Sequence, residues 1–113
     1  MSVNPGEVTI KLDGKERVLK CSLRAYKAVN AMSGGFLAAL KRVSECDADV
    51  ISQLVCVGLG VRTSLEIEGI EEQIYKDGVT NFITPCVMFI NNLTNGGREP
   101  SVEAEPSEGK DPS

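Results

Sequence analysis

The residues best suited to chemistry in this 113-residue chain are its cysteines, because it contains no histidine. The absence of histidine excludes Ser-His-Asp and Cys-His catalysis, HExxH zinc sites and histidine-based pH switches. No two cysteines form a CxxC pair, which excludes zinc-ribbon and thioredoxin-type sites. The four are Cys21, Cys46, Cys56 and Cys86. Residues 1–5 contain neither the basic n-region nor the apolar h-region of a signal peptide. We therefore expect reduced, buried thiols in a cytoplasmic protein.

A cluster of glutamates is the second candidate for chemistry. It comprises Glu66, Glu68, Glu71 and Glu72. At helical spacing most of these side chains point to water beside an apolar stripe, so we interpret the cluster as a solvated helix face. The pair Asp47 and Asp49 is interpreted as a helix N-terminus, because no EF-hand loop follows it. No glycine lies in a GxGxxG or GxxxxGK motif. The sequence therefore predicts a non-enzymatic protein without cofactor or metal.

Charge is distributed unevenly along the chain, whose net charge is −4. Residues 1–44 carry eight bases and three acids, residues 45–95 two bases and eight acids, and residues 96–113 two bases and five acids. One interpretation is a set of solvated helix faces. The other is a basic face that meets an acidic partner or the acidic half of a second copy. This face comprises Lys20, Arg24, Lys27, Lys41 and Arg42.

Two other classes of partner are disfavoured by the composition. Nucleic acid is disfavoured because the total charge is negative and no aromatic residues are interleaved with the bases. A membrane is disfavoured because no apolar run approaches the ~20 residues that span a bilayer. The expected partners are therefore proteins, including a second copy of this chain.

The first element that would position these residues is a β-hairpin. Val8, Ile10 and Leu12 alternate with polar residues, and Asp13-Gly14 is a strong signal for a two-residue turn before a second strand. This turn predicts the pairs Val8–Leu19, Ile10–Arg17, Lys11–Glu16 and Leu12–Lys15. A three-residue turn with a bulge would shift that register. The apolar face carries Val8, Ile10, Leu12, Leu19 and Cys21, and it must pack on helices because a lone hairpin is marginally stable.

Five helices are predicted after the hairpin. Ser22 caps the first, in which Leu23, Tyr26, Val29 and Met32 recur every three positions along one side. The second covers residues 36–44, the third runs from an Asp47 cap to about residue 59, the fourth covers about 64–76 and the fifth about 81–93. The third is apolar around more than half its circumference, which predicts the most buried helix. Its β-branched residues also permit a strand.

The composition changes at Gly96. Residues 96–113 contain three prolines, five acids and no aromatic residue. Such a segment cannot bury enough apolar surface to offset the entropy of ordering, so we predict a disordered acidic tail. Residues 1–95 then form a single domain. The predicted fold is α+β, mainly α, with an N-terminal hairpin packed on a bundle of about five short helices.

The order of several short motifs carries a family resemblance. The motifs are LDGK at residues 12–15, CSLRAYKAV at 21–29, FLAALKRV at 36–43, VGLGV at 57–61, YKDGV at 75–79 and NGG at 95–97. This order resembles the small tail-assembly family of gene transfer agents and long-tailed bacteriophages, whose members are labelled tail tube proteins or tail assembly chaperones. The resemblance implies a non-enzymatic protein of the host cytoplasm, with the tape-measure protein and the tail tube protein as partners.

The number of predicted strands separates the two labels. A tube subunit needs a β-sandwich that closes into a ring, whereas this sequence predicts one hairpin and about five helices. We therefore expect a chaperone that binds the long, helical tape-measure protein or tube subunits during assembly. A structural tube component is one alternative. The other is a generic helical adaptor or regulatory protein unrelated to phage.

Overall fold

The computed structural model describes residues 6–32 and 34–98. It confirms the predicted α+β, mainly α, fold, in which a two-stranded antiparallel hairpin precedes five α-helices within these residues. The elements are β1 (Val8–Leu12), β2 (Lys15–Leu19), α1 (Leu23–Ala31), α2 (Phe36–Ser44), α3 (Ala48–Leu59), α4 (Ser64–Asp77) and α5 (Ile83–Thr94), with a 3₁₀ turn (Val79–Phe82) before α5. The predicted tail lies outside the described residues from position 99 onward.

The hairpin has the predicted two-residue turn and register. Asp13 and Gly14 both have positive φ, at 58° and 74°, which matches the twist of the flanking strands. All four predicted pairs are present, and Thr9 faces Val18. Every second residue of β1 is buried, whereas β2 buries Leu19 alone. The hairpin therefore packs mainly through β1, and the tip of β2 remains in solvent.

Side-chain caps fix where the helices begin. The Ser22 hydroxyl accepts a hydrogen bond from the Ala25 backbone N–H at the start of α1. The Asp47 carboxylate accepts bonds from the N–H groups of Asp49 and Val50, which confirms α3 as a helix rather than a strand. At the start of α4 the Thr63 hydroxyl accepts from the Glu66 backbone N–H and donates to the Glu66 carboxylate.

The core is centred on α3, as predicted. This helix buries seven of its twelve residues, and α5 contributes five more that include Phe89 and Ile90. The hairpin joins this core at the end of α3, where Leu19 packs against Gly58. A Cβ at Gly58 would lie only 2.7 Å from the Leu19 Cβ, and the Lys20 N–H donates to the Gly58 carbonyl at 2.9 Å. This close approach places Lys20 and the start of α1 beside the end of α3.

Helix α1 buries only part of the apolar side on which Leu23, Tyr26, Val29 and Met32 recur. Its buried residues are Ala25 and Val29, while Leu23 is 68% exposed and Tyr26 is 43% exposed. A step of three residues turns an α-helix by 300°, so residues 23, 26, 29 and 32 together cover about half of the circumference. A single packed face cannot bury them all. The packed side contains the smaller alanine, and α1 leaves two large side chains in solvent.

Hydrogen bonds continue beyond residue 95, the predicted end of the domain, to the last described residues. The Gly97 N–H donates to the Asn92 carbonyl at 2.8 Å, and the Asn95 amide donates to the Arg98 carbonyl. The buried Asn92 amide also donates to the Gly6 carbonyl at 2.9 Å. These bonds hold residues 96–98 in a turn against the N-terminal end of the chain, because the turn satisfies carbonyls at the end of α5.

Candidate functional site

The four cysteines are free thiols, two buried and two half-buried. Burial raises the pKa of Cys86 to about 12, and burial with a smaller effect of Glu71 raises the pKa of Cys56 to about 11. Burial, followed by Glu7, also raises the pKa of Cys21. The thiolate is the reactive form, so these shifts disfavour nucleophilic chemistry at all three. The prediction of burial holds for Cys56 and Cys86, whereas Cys21 and Cys46 are partly accessible.

The glutamate cluster lies on the exposed side of α4. The Glu66 carboxylate accepts a hydrogen bond from the Thr63 hydroxyl at 2.8 Å, and Glu72 forms an ion pair with Lys76 at 3.4 Å. Within residues 6–32 and 34–98, no group of three or more potential metal ligands comes together. None of the helices in the same ranges is long and apolar enough to cross a membrane. Glu66 and Glu72 thus have local roles in the helix itself.

The predicted basic face is divided by the fold. Lys20 and Arg24 line one groove, whereas Lys27 lies on α1 outside its lining. Lys41 and Arg42 are on α2, where the Arg42 guanidinium bonds to the Asp47 carboxylate at 3.1 Å. That hydrogen bond, together with the Val50 N–H, lowers the pKa of Asp47. Arg42 therefore supports the cap of α3.

A surface groove of about 420 Å³ brings Lys20 and Arg24 together with Arg62, which the sequence analysis missed. We name it the basic groove. It lies between the N-terminal half of α1 and the C-terminal end of α3, and its floor is apolar. The floor contains Ala25, Ala28, Cys56, Val57 and Val61. The three cations and the apolar floor suit an acidic chain with small apolar side chains.

A second groove, of about 550 Å³, lies on the other side of the start of α1. We name it the apolar groove after Leu23, Tyr26 and Leu93; Ser22 and Thr94 give its lining a polar part as well. Leu23 and Tyr26 line one wall, and the Tyr26 ring packs on Phe36 with the ring centroids 5.0 Å apart. Leu93, Thr94, Gly96 and Gly97 line the opposite wall. Large exposed apolar side chains beside a concave surface are typical of protein-binding sites.

The two grooves meet at Ser22, which lines both. Their shared edge is held by hydrogen bonds rather than by apolar packing alone. Ser22 caps α1, and the preceding Cys21 thiol donates to the Gly6 carbonyl at 3.4 Å. The same carbonyl accepts from Asn92. The start of α1 is thereby fixed to the end of α5, so both grooves have a defined shape.

No protein-family model, curated protein or solved structure matches this chain. It is a small α+β protein, mainly α, with a basic groove and an apolar groove that share the start of one helix.

Proposed function

We propose that this protein is a non-enzymatic tail assembly chaperone of a long-tailed bacteriophage or gene transfer agent. It binds the tape-measure protein, tail tube subunits or both in the cytoplasm of the bacterial host. The observation that carries the proposal is the apolar groove, where Leu23 and Tyr26 remain in solvent although the core is well formed. The resemblance of motif order to the tail-assembly family supports the identity of the partners.

The occupant proposed for the apolar groove is an amphipathic helix of the tape-measure protein. By the family resemblance, that protein is long and helical with apolar faces. A helix that lays its apolar side in a groove is a recurrent mode of recognition. Leu23 and Tyr26 supply an apolar anchor and an aromatic anchor, and aromatic residues are enriched among those that carry binding energy. Acidic residues flanking such a helix would be attracted by Lys20 and Arg24 nearby.

The fold supports a chaperone over a structural tube component. Within the described residues the only sheet is a hairpin of two five-residue strands, and the rest of the regular structure is helical. A tube ring requires sheets with edges that pair between subunits. A helical protein with surface grooves is better suited to transient binding of another helical chain.

Self-association through opposite charges belongs to the same proposal. The basic groove of one copy would meet the acidic outer side of α4 in another, which carries Glu68 and Glu72. Exposed charges are screened over about 10 Å at 0.1 M salt. Any oligomer should therefore dissociate as salt rises to ~0.5 M, and Lys20→Glu with Arg24→Glu, both in the groove, should weaken it further. Sedimentation velocity measures both effects, and an oligomer indifferent to both would contradict charge-driven assembly.

Co-expression tests the proposed function. The chain is produced with the products of the neighbouring tail genes, one of which should be very long, and is then purified by an affinity tag. We expect the long tape-measure protein to stay soluble and to co-purify. A tape-measure protein that is equally soluble alone and is never retained would contradict the chaperone role. The helical-adaptor alternative predicts that second outcome.

A further inference from the structure

Three cations in the basic groove have no carboxylate partner in the part of the chain that the structure describes. The ion pairs among residues 6–32 and 34–98 are Arg42–Asp47 and Lys76–Glu72. Lys20, Arg24 and Arg62 thus line the basic groove as unpaired positive charges above an apolar floor. Like charges gathered on one concave surface raise the local concentration of acidic groups.

An acidic segment of the same chain follows Arg98, the last described residue, and Gly96 and Gly97 line the neighbouring apolar groove. Residues 99–113 contain five acids and one lysine, with Val102 and Ala104 among the acids. Gly97, two residues before the segment, packs against Cys21, and both line the apolar groove. Lys20 is the residue before Cys21, and Ser22 is shared by the two grooves. Gly97 therefore packs on the residue that follows Lys20, the first of the three cations.

The length of the segment is sufficient for it to reach the whole groove. An extended chain advances about 3.3 Å per residue, so fifteen residues span up to about 50 Å. Tethering to the same molecule gives an effective concentration on the order of 1 mM. A contact with a dissociation constant of about 0.1 mM would then be roughly nine-tenths occupied. Even a weak charge-driven contact would be populated.

We propose that the acidic segment 99–113 binds in the basic groove of its own chain. Its carboxylates pair with Lys20, Arg24 and Arg62, and Val102 and Ala104 contact the apolar floor. An acidic partner must displace this segment, which makes it a built-in competitor for the groove. The inference holds whether or not the protein acts in tail assembly, because it concerns contacts within one chain.

The test measures binding of a labelled synthetic peptide of residues 99–113 to full-length chains by fluorescence anisotropy. One chain has its native tail, and the other has a neutralised tail in which Glu99, Glu103, Glu105 and Glu108 are replaced by Gln and Asp111 by Asn. We expect the neutralised chain to bind the peptide at least 5-fold more tightly, because its groove is free. We also expect peptide binding to be weaker at ~0.5 M salt than at low salt.

Groove variants in the neutralised chain locate the contact. Lys20→Glu with Arg24→Glu should weaken peptide binding at least 10-fold. Arg62→Glu alone should also weaken it, but by a smaller factor. Lys15→Glu with Arg17→Glu is the matched control, since it changes the same charge on exposed residues of β2. That control should change binding less than 3-fold. Circular dichroism melting of each variant verifies the fold.

Three results would overturn the proposal. Equal peptide binding by the native and neutralised chains would show that the groove is free in the native protein. Equal losses in the groove variant and the β2 control would show that net charge alone attracts the peptide. Absence of peptide binding to the neutralised chain at low salt would show that the groove does not accept this segment.

Discussion

Helices α1 and α3 both contain several large apolar residues but bury very different shares of them. Helix α3 buries seven of its twelve residues, whereas α1 buries two of nine, Ala25 and Val29. The larger apolar side chains of α1, Leu23 and Tyr26, are exposed in the wall of the apolar groove. Helix α3 stabilises the fold. Helix α1 keeps apolar surface outside the core, where it is available to a partner.

A leucine-to-alanine substitution in each of the two helices should show the largest difference in the free energy of unfolding. Leu54→Ala on α3 removes a fully buried side chain and should lower the free energy of unfolding by about 2–5 kcal/mol. Leu23→Ala on α1 should change it by less than about 0.5 kcal/mol, because that side chain is mostly exposed. Urea unfolding measures both. Comparable losses would mean that Leu23 belongs to the core.

Two helical glycines should respond with opposite signs to the same change. Gly58→Ala places a Cβ 3.1 Å from the Leu19 Cα, a backbone atom that cannot rotate away. The overpacking should cost about 1–3 kcal/mol. Gly69→Ala on α4 meets no atom within 4 Å and should stabilise by about 0.5–1 kcal/mol through helix propensity. Thermal unfolding distinguishes the two, and a stable Gly58→Ala variant would refute the close packing of β2 on α3.

The Asp47 cap of α3 should make the stability of the protein depend on pH in the acidic range. The Arg42 hydrogen bond and the bound N–H groups lower the pKa of Asp47 below the unfolded value of about 3.9. The stabilisation is therefore present above that pH and is lost as the pH falls through the lower folded pKa. The melting-temperature difference between wild type and Asp47→Ala should shrink below about pH 4.

Asp47→Asn is the matched control for that experiment, since asparagine caps a helix without a titrating group. It should remain close to wild type near pH 7 and should lose less stability than wild type as the pH falls below about 4. If the Asn variant loses as much stability in acid as wild type does, another carboxylate carries the acid dependence.

Thiol labelling should separate the two buried cysteines from the two half-buried ones. Cys86 and Cys56, with pKa values raised to about 12 and about 11, should react slowest at pH 8. Cys21 and Cys46 are half-buried and should react first. Mass spectrometry after timed alkylation gives the order. Because all four are free thiols, reductant should leave the melting temperature unchanged, and a decrease would indicate a disulfide.

The features predicted correctly from sequence are those set by neighbouring residues. The Asp13-Gly14 turn fixes the hairpin register, because a two-residue turn leaves one way to pair the strands. Ser22 and Asp47 fix helix starts because their side chains bond to N–H groups two or three residues onward. These interactions are local, so the sequence order contains them.

The grooves could not be predicted in the same way. Arg62 joins Lys20 and Arg24 only because Leu19 packs on Gly58, a contact between residues 39 positions apart. The exposure of Leu23 depends on which side of α1 meets α3 and α5, and the three-residue spacing of its apolar residues fits several orientations. Arg42 was assigned to the basic face, but its contact with Asp47 depends on the turn between α2 and α3.

The claim that α1 presents the binding surface is tested most directly by one matched pair of variants in the co-expression experiment. Leu23→Gln with Tyr26→Gln changes the apolar groove, and Leu65→Gln with Tyr75→Gln makes the same change on α4, where those side chains are 79% and 82% exposed. The fraction of tape-measure protein retained is measured for both. Loss of at least 80% of the retained protein with the α1 pair and near-normal retention with the α4 pair is the predicted result. Normal retention with the α1 pair, in a variant that melts like wild type, would contradict the account.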